Sequence, residues 1–260
     1  MKLVVTFAAL ALMSVFAARK TSAPVGSLEL GKRVYVAEGC IHCHSQYSRP
    51  IDLDADLYGP AAVLPLQEGQ SVLIGNRRQG PDLSSVGLRR SREWNRLHLI
   101  KPAAVTPGSR MPSYGYLFEG EETKGEALLD YLQSLKGANE QAWLRHRENW
   151  TPANTTGSGS LERGRRLFAE YCAQCHGSQG DGTGDISSNF RPSPADLRGD
   201  GYRFAPKSLQ PELRRLRLQR IVKYGILGTS MPGHEYLTDQ QVVDLVELLT
   251  DWSETDPRSR

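Results

Sequence analysis

The sequence predicts an all-α protein of two tandem domains, and three observations predict it. The pentapeptide Cys-x-x-Cys-His occurs twice, as Cys40-Ile41-His42-Cys43-His44 and as Cys172-Ala173-Gln174-Cys175-His176. Each copy follows a run with apolar residues at helical spacing and charges between them. These runs are Leu28-Glu29-Leu30-Gly31-Lys32-Arg33-Val34-Tyr35 and Leu161-Glu162-Arg163-Gly164-Arg165-Arg166-Leu167-Phe168. Each copy is trailed by a Met-Pro segment and a second helical run. Met111-Pro112-Ser113-Tyr114-Gly115-Tyr116-Leu117 precedes residues 126–132, and Met231-Pro232-Gly233-His234-Glu235-Tyr236-Leu237 precedes residues 242–249. One module is therefore used twice: leading helix, Cys-His loop, irregular middle, Met-Pro loop, closing helix. A chain of 260 residues accommodates two such domains, at residues 27–137 and 161–254.

The pentapeptide sets the chemistry. Cys-x-x-Cys-His is the attachment signature of c-type haem: two thiols add across the vinyl groups, and the next histidine offers an imidazole nitrogen to the iron. The four cysteines are the only ones in the chain, and they divide into Cys40 with Cys43 and Cys172 with Cys175, for two covalently bound haem c groups. Structural zinc needs four ligands from one compact region, whereas about 130 residues separate the pairs. A thioredoxin-type pair follows a strand of a βαβ unit and needs no histidine after it.

The N-terminal element comes first in the chain. Lys2 precedes an uncharged run, residues 3–18, and Arg19-Lys20 follow it. The run is shorter than the roughly 20 residues of a spanning helix. It fits a secretory signal with small residues in Val15-Phe16-Ala17, or else a short uncleaved anchor. Either reading of residues 1–20 puts the body in the periplasm, soluble or anchored to the inner membrane, where c-type haem is attached in bacteria.

Ser27 and Ser160 stand as N-caps of the two leading helices. In the irregular middles, Gly80-Pro81-Asp82-Leu83 and Pro194-Ala195-Asp196-Leu197 occupy corresponding stretches. A proline carbonyl there would accept the proximal imidazole N–H, orienting the ring and raising its donor strength. Arg77 and Arg78 are candidates to pair haem propionates, and Arg214, Arg215, Arg217 and Arg220 form a basic helix face expected to be solvated. Residues 138–160 join the modules: residues 140–150 read as a charged helix leaving the first domain, and residues 151–160 as a breaker-rich linker.

A haem held by His44 or His176 has a sixth iron position. Met1 and Met13 belong to the N-terminal segment, which leaves Met111 and Met231, one per module at the same repeat position. A methionine is by default a packing residue. The Met-Pro context, the one-per-haem count and the repeat position point instead to His44/Met111 and His176/Met231 ligation, which raises the potential relative to a second histidine. The other histidines are not expected to bind iron. His42 lies between cysteines and points outward, His234 sits too close to Met231, and His98 reads as a propionate partner or helix cap.

The formal charge of +3 omits the cofactors. Two propionates per haem bring the holoprotein near neutrality. No nucleic-acid-reading motif accompanies the basic residues.

These residues carry a resemblance. Residues 158–254 resemble a class I cytochrome c domain, with the second pentapeptide, Gly180-Asp181-Gly182-Thr183-Gly184 and Gly228-Thr229-Ser230-Met231-Pro232. Residues 27–137 are similar to the monohaem cytochrome subunit of cbb-type haem–copper oxidases. The likeness lies in Gly39 through Gln46 with Arg49-Pro50, Gly75-Asn76-Arg77-Arg78-Gln79-Gly80-Pro81-Asp82-Leu83, Glu93-Trp94, His98-Leu99, and Pro107 with Met111-Pro112. In those oxidases, monohaem and dihaem cytochrome subunits pass electrons to a separate membrane subunit that reduces oxygen. The resemblance implies tandem class I cytochrome c folds, iron ligands at His44 and Met111, and a relay role.

The chain departs from that family pattern in its fused second domain, its short N-terminal run and the altered context of Tyr58-Gly59. The expected function is single-electron relay to a respiratory haem–copper oxidase, with an integral-membrane subunit as partner. The alternative is a shuttle for a periplasmic dehydrogenase. A dihaem peroxidase is disfavoured because it needs an openable sixth site, and terminal oxidase chemistry is excluded because no spare set of histidines could hold copper.

Overall fold

The computed structural model describes residues 25–58, 73–120, 124–137, 140–153, 155–198 and 202–255; the expected export signal or anchor at residues 1–20 and Gly59 lie outside them. The first half runs α1 (Val25–Ala37), α2 (Cys40–Cys43), α3 (Asp52–Tyr58), α4 (Val86–Arg89), α5 (Arg92–Ile100), α6 (Pro102–Val105), a 3-10 turn at Gly115–Phe118, and α7 (Lys124–Ser134). Then come α8 (Glu140–Asn149), α9 (Leu161–Tyr171), α10 (Ala173–His176), a 3-10 turn at Ser187–Asn189, α11 (Pro211–Tyr224) and α12 (Asp239–Thr255). Among the described residues there is no strand, only an isolated bridge between Gly225 and Pro232. The fold is all-α, and no described helix is long and apolar enough to cross a membrane.

Leading and closing helices pack against each other in both modules, α1 on α7 and α9 on α12. The repeat glycines explain how closely. A Cβ on Gly31 would stand 2.0 Å from the Ala127 carbonyl oxygen, and one on Gly164 would stand 2.4 Å from that of Asp244. Only glycine lets the two backbones touch at these crossings. Around each crossing lies a separate apolar core. Val34, Tyr35, Leu99, Leu128 and Leu129 fill the first, and Phe168, Leu218, Val242, Leu245 and Leu248 fill the second. Each such leucine contributes about 2 kcal/mol on leaving water.

Ser160 caps α9 as expected, its hydroxyl accepting from the Arg163 N–H. Ser27 differs: α1 already begins at Val25, and the Ser27 hydroxyl donates instead across to Asp130 on α7. The expected departure of residues 140–150 from the first domain becomes a docking on the second. Trp143 is buried edge-on to Tyr224 of α11, His146 Nε2 lies 3.1 Å from the Tyr224 hydroxyl, and Arg147 donates to the Gly225 carbonyl at 2.9 Å.

The breaker-rich segment after α8 is also held. The N–H groups of Ala153, Thr156 and Ser160 donate to Asp239, Gln240 and Asp244 along α12, at 2.8, 2.7 and 2.9 Å. Nor is the basic face of α11 simply solvated. Arg214 is buried on Ala205 O and Ser253 Oγ, Arg215 pairs with Glu247, and Arg220 donates to Trp150 O, leaving Arg217 exposed.

The halves meet along a polar seam. Arg90 places its guanidinium on Glu235 at 2.8 Å and on the Gly233 carbonyl at 3.0 Å, and the hydroxyls of Ser91 and Ser230 lie 2.9 Å apart.

Candidate functional site

In the first half, α1 ends three residues before Cys40, and Gly39 makes the turn into α2 with φ of 72°. One helical turn carries both thiols of the first pair at an i, i+3 spacing that puts them on one face. The loop after them is clasped by a later one. Arg77 N, Gly80 N and Leu83 N donate to the carbonyls of His42, Cys43 and Ser45 at 3.1, 3.1 and 2.7 Å. Buried Asp82 anchors that clasp by accepting from Tyr47 N and Ser84 N, each at 2.8 Å.

The clasp fixes the imidazole. His44 Nδ1 donates to the Pro81 carbonyl at 2.9 Å, and the Tyr35 hydroxyl holds His44 O at 2.9 Å. Burial lowers the His44 pKa against the raising effect of that bond. With Nδ1 committed, the neutral ring keeps Nε2 as its one free donor atom. Burial also pushes the Cys40 thiol up to about 11.

His44, Cys40 and Cys43 line a cleft of about 560 Å³, and Met111, Asn95 and His98 line the same cleft. That volume is in the range of cofactor pockets. Asn95 is the detail that speaks for an absent occupant. It is 4 % exposed, it lines the cleft, and its Nδ2 has no hydrogen-bond partner. A buried unpaired donor costs about 1–3 kcal/mol, a cost removed by a ligand with an acceptor, such as a haem propionate. The residues present fit a covalently held haem: two free sulfurs, an oriented imidazole, a thioether and an orphan donor in one cleft. Among the described residues no group of three His, Cys, Asp or Glu could hold a metal ion directly.

The second half repeats the proximal arrangement with one change. His176 Nδ1 donates at 2.9 Å to Ala195 O, not to the Pro194 carbonyl, because Ala195 stands where the first module has Pro81. Gly182 N closes on His176 O at 2.8 Å and Gly184 N on Cys175 O at 3.2 Å. Burial lowers the His176 pKa and raises Cys172 to about 12 and Cys175 to about 11. Met231 lies on the loop closed by the Ile226 N–H on its carbonyl at 3.1 Å, and it lines a cavity of about 180 Å³ between the halves.

Two matches to protein families accompany this geometry. Residues 3–142, more than half of the chain, match the family described as cytochrome c oxidase, mono-heme subunit/FixO. The chain belongs to the FixO family. Residues 159–249 match a second family, cytochrome c oxidase, cbb3-type, subunit III, so both halves of this FixO-family chain carry c-type cytochrome domains. No curated protein matches the chain. Among solved structures, it is similar to a chain of the Kuenenia stuttgartiensis reducing HAO-like protein complex. There the identity is 17 % over 86 % of this chain and 96 % of that one, with a TM-score of 0.31, too slight to bear on fold or function.

Within the FixO-matched part, the four residues singled out by sequence, Cys40, Cys43, His44 and Met111, converge on one cleft. Arg77 is exposed, and Arg78, although it lines the cleft, is committed to Asp54 at 3.3 Å and Tyr47 O at 3.0 Å. The cations at the cleft that the sequence reading missed are Arg89, Arg90 and Arg110. His98 lines the cleft, with Nδ1 3.4 Å from Thr106 Oγ1. It stacks on Trp94 with centroids 4.7 Å apart, and burial first, then His44 and Arg90, lower its pKa to about 4.

Proposed function

We propose that this FixO-family chain is a dihaem c-type cytochrome that relays single electrons to a respiratory haem–copper oxidase. The observation that carries the reading is the first cleft, where two free thiols, a neutral imidazole fixed on Pro81 O and Met111 face one space. The haems, bound through Cys40 and Cys43 and through Cys172 and Cys175, would supply an Fe(III)/Fe(II) couple. The chain's part is to hold them: His44 and His176 as proximal ligands, Met111 and Met231 as distal ones, Asn95 as a donor at the first haem's edge. Charge stays off both histidines and off the buried thiols, so the sites favour ligation over acid–base work. The body lies in the periplasm, with residues 1–20 serving as export signal or anchor.

The oxidase setting is supported by the family of the first half and by that of the second. The experiment is purification from membranes in mild detergent. An integral-membrane haem–copper subunit is expected to co-purify, and oxygen reduction is expected to fall when Met111 is replaced by Ala. Recovery as a free protein that reduces no oxidase, yet accepts electrons from a periplasmic dehydrogenase, would replace the oxidase partner with the shuttle role.

A further inference from the structure

The internal repeat isolates what is peculiar to the seam between the halves. Aligning the two Met-Pro segments sets Gly233, His234 and Glu235 against Ser113, Tyr114 and Gly115. All three changed positions line the cleft of the first module, although they belong to the second. Glu235, 4 % exposed, takes Arg90 at 3.0 and 2.8 Å and lies 3.8 Å from Arg89. Gly233 O takes Arg90 as well. His234 is buried with Nδ1 3.3 Å from Val222 O, a fixed ring rather than a free one. It packs against Tyr171 with centroids 6.5 Å apart, and Tyr236 lies 5.7 Å from Tyr171 and 6.0 Å from His234. Tyr171 immediately precedes Cys172. Three aromatic rings thus run from the residue before one module's attachment cysteine to the wall of the other module's cleft.

We propose that Tyr171, His234 and Tyr236 form the bridge across which electrons pass between the two haem sites, and that Glu235, through Arg89 and Arg90, is the positioning residue that holds it. The proposal rests on the two-haem relay reading. One electron crosses: the donor iron goes from Fe(II) to Fe(III) as the acceptor iron goes from Fe(III) to Fe(II). No proton moves, no bond forms or breaks, and the rings stay unoxidised. They act by filling with packed atoms a gap through which tunnelling would otherwise decay more steeply.

Soret circular dichroism of the native holoprotein tests this, together with flash-reduction kinetics and a haem count by pyridine haemochromogen. Haems held close at a fixed angle couple and give a bisignate Soret band, which is the expected result. Glu235→Gly, which restores the residue of the first repeat, is expected to weaken that band. Tyr171→Leu leaves the Arg–Glu contacts in place and is expected to slow inter-haem transfer at least about tenfold. A count of two haems with a single-signed native band overturns the bridge and leaves the relay standing. So does transfer at the native rate in Tyr171→Leu. A count below two overturns the relay reading and the bridge with it. If Glu235→Gly fails to fold, the native spectrum decides alone.

Discussion

Gly80 leaves no room for a side chain, since a Cβ there would stand 2.2 Å from His44 Cε1. Gly80→Ala is therefore predicted to push the imidazole off Pro81 O, and the check is loss of the low-spin six-coordinate spectrum in the first module. Cys40→Ala is expected to lower covalent haem from two groups to one, read by intact mass, with the second module unaffected. Met111→Ala is expected to open one haem to carbon monoxide and to lower its potential. An unchanged spectrum and potential would make Met111 a packing residue. Cys40 and Met111 could be singled out from the sequence because their signals are local: a thiol pair three apart, a neighbouring histidine, one Met-Pro per module. The contact of Arg78 with Asp54 was not legible, because that carboxylate lies in a different local segment, on α3. Asn95 went unnoticed because an orphaned amide is invisible until its surroundings are folded.

At the scale of elements, the helix crossings are the parts most exposed to a single methyl group. Gly31→Ala and Gly164→Ala each force apart two backbones in contact. Overpacking of this kind costs about 1–3 kcal/mol. Each is predicted to lower the melting temperature of its own half, followed by tryptophan fluorescence, since the two cores are separate. The leading and closing helices were readable from their 3.6-residue periodicity, and the repeat doubled the signal. The docking of α8 was not. Its sequence is mostly polar, and the anchor Trp143 finds Tyr224 only through the tertiary fold. The arginines of α11 misled for the same reason: a charge on a helix defaults to solvent unless a partner such as Ser253 or Glu247 is already known to be near.

For the whole molecule, the ion pairs of the seam from Arg89 and Arg90 fall on one carboxylate. Burial would raise the Glu235 pKa, but Arg90 and Arg89 outweigh it and hold it at about 2, against an ordinary value of 4.5. A carboxylate with a depressed folded pKa gives stability that is complete above its unfolded value and lost as pH falls through the folded one. The contribution is on the order of 3 kcal/mol. The prediction is that the halves stay docked at neutral pH and separate as acid takes the solution from about 4.5 towards about 2, seen as a rise in radius of gyration by X-ray scattering. Residues 145 apart make this contact, which is why the sequence repeat marks out two modules yet says nothing of how they join.

The segment lying hydrogen-bonded along α12 has one more consequence. Two separate carriers must find each other by diffusion, so their exchange slows with dilution and responds to added salt. With linker and seam both pinned, the local concentration of one site around the other is set by structure. Under the proposed two-haem relay, exchange within the chain would be first-order, indifferent to dilution and to ionic strength, and only the encounter with outside partners would remain open to control by either.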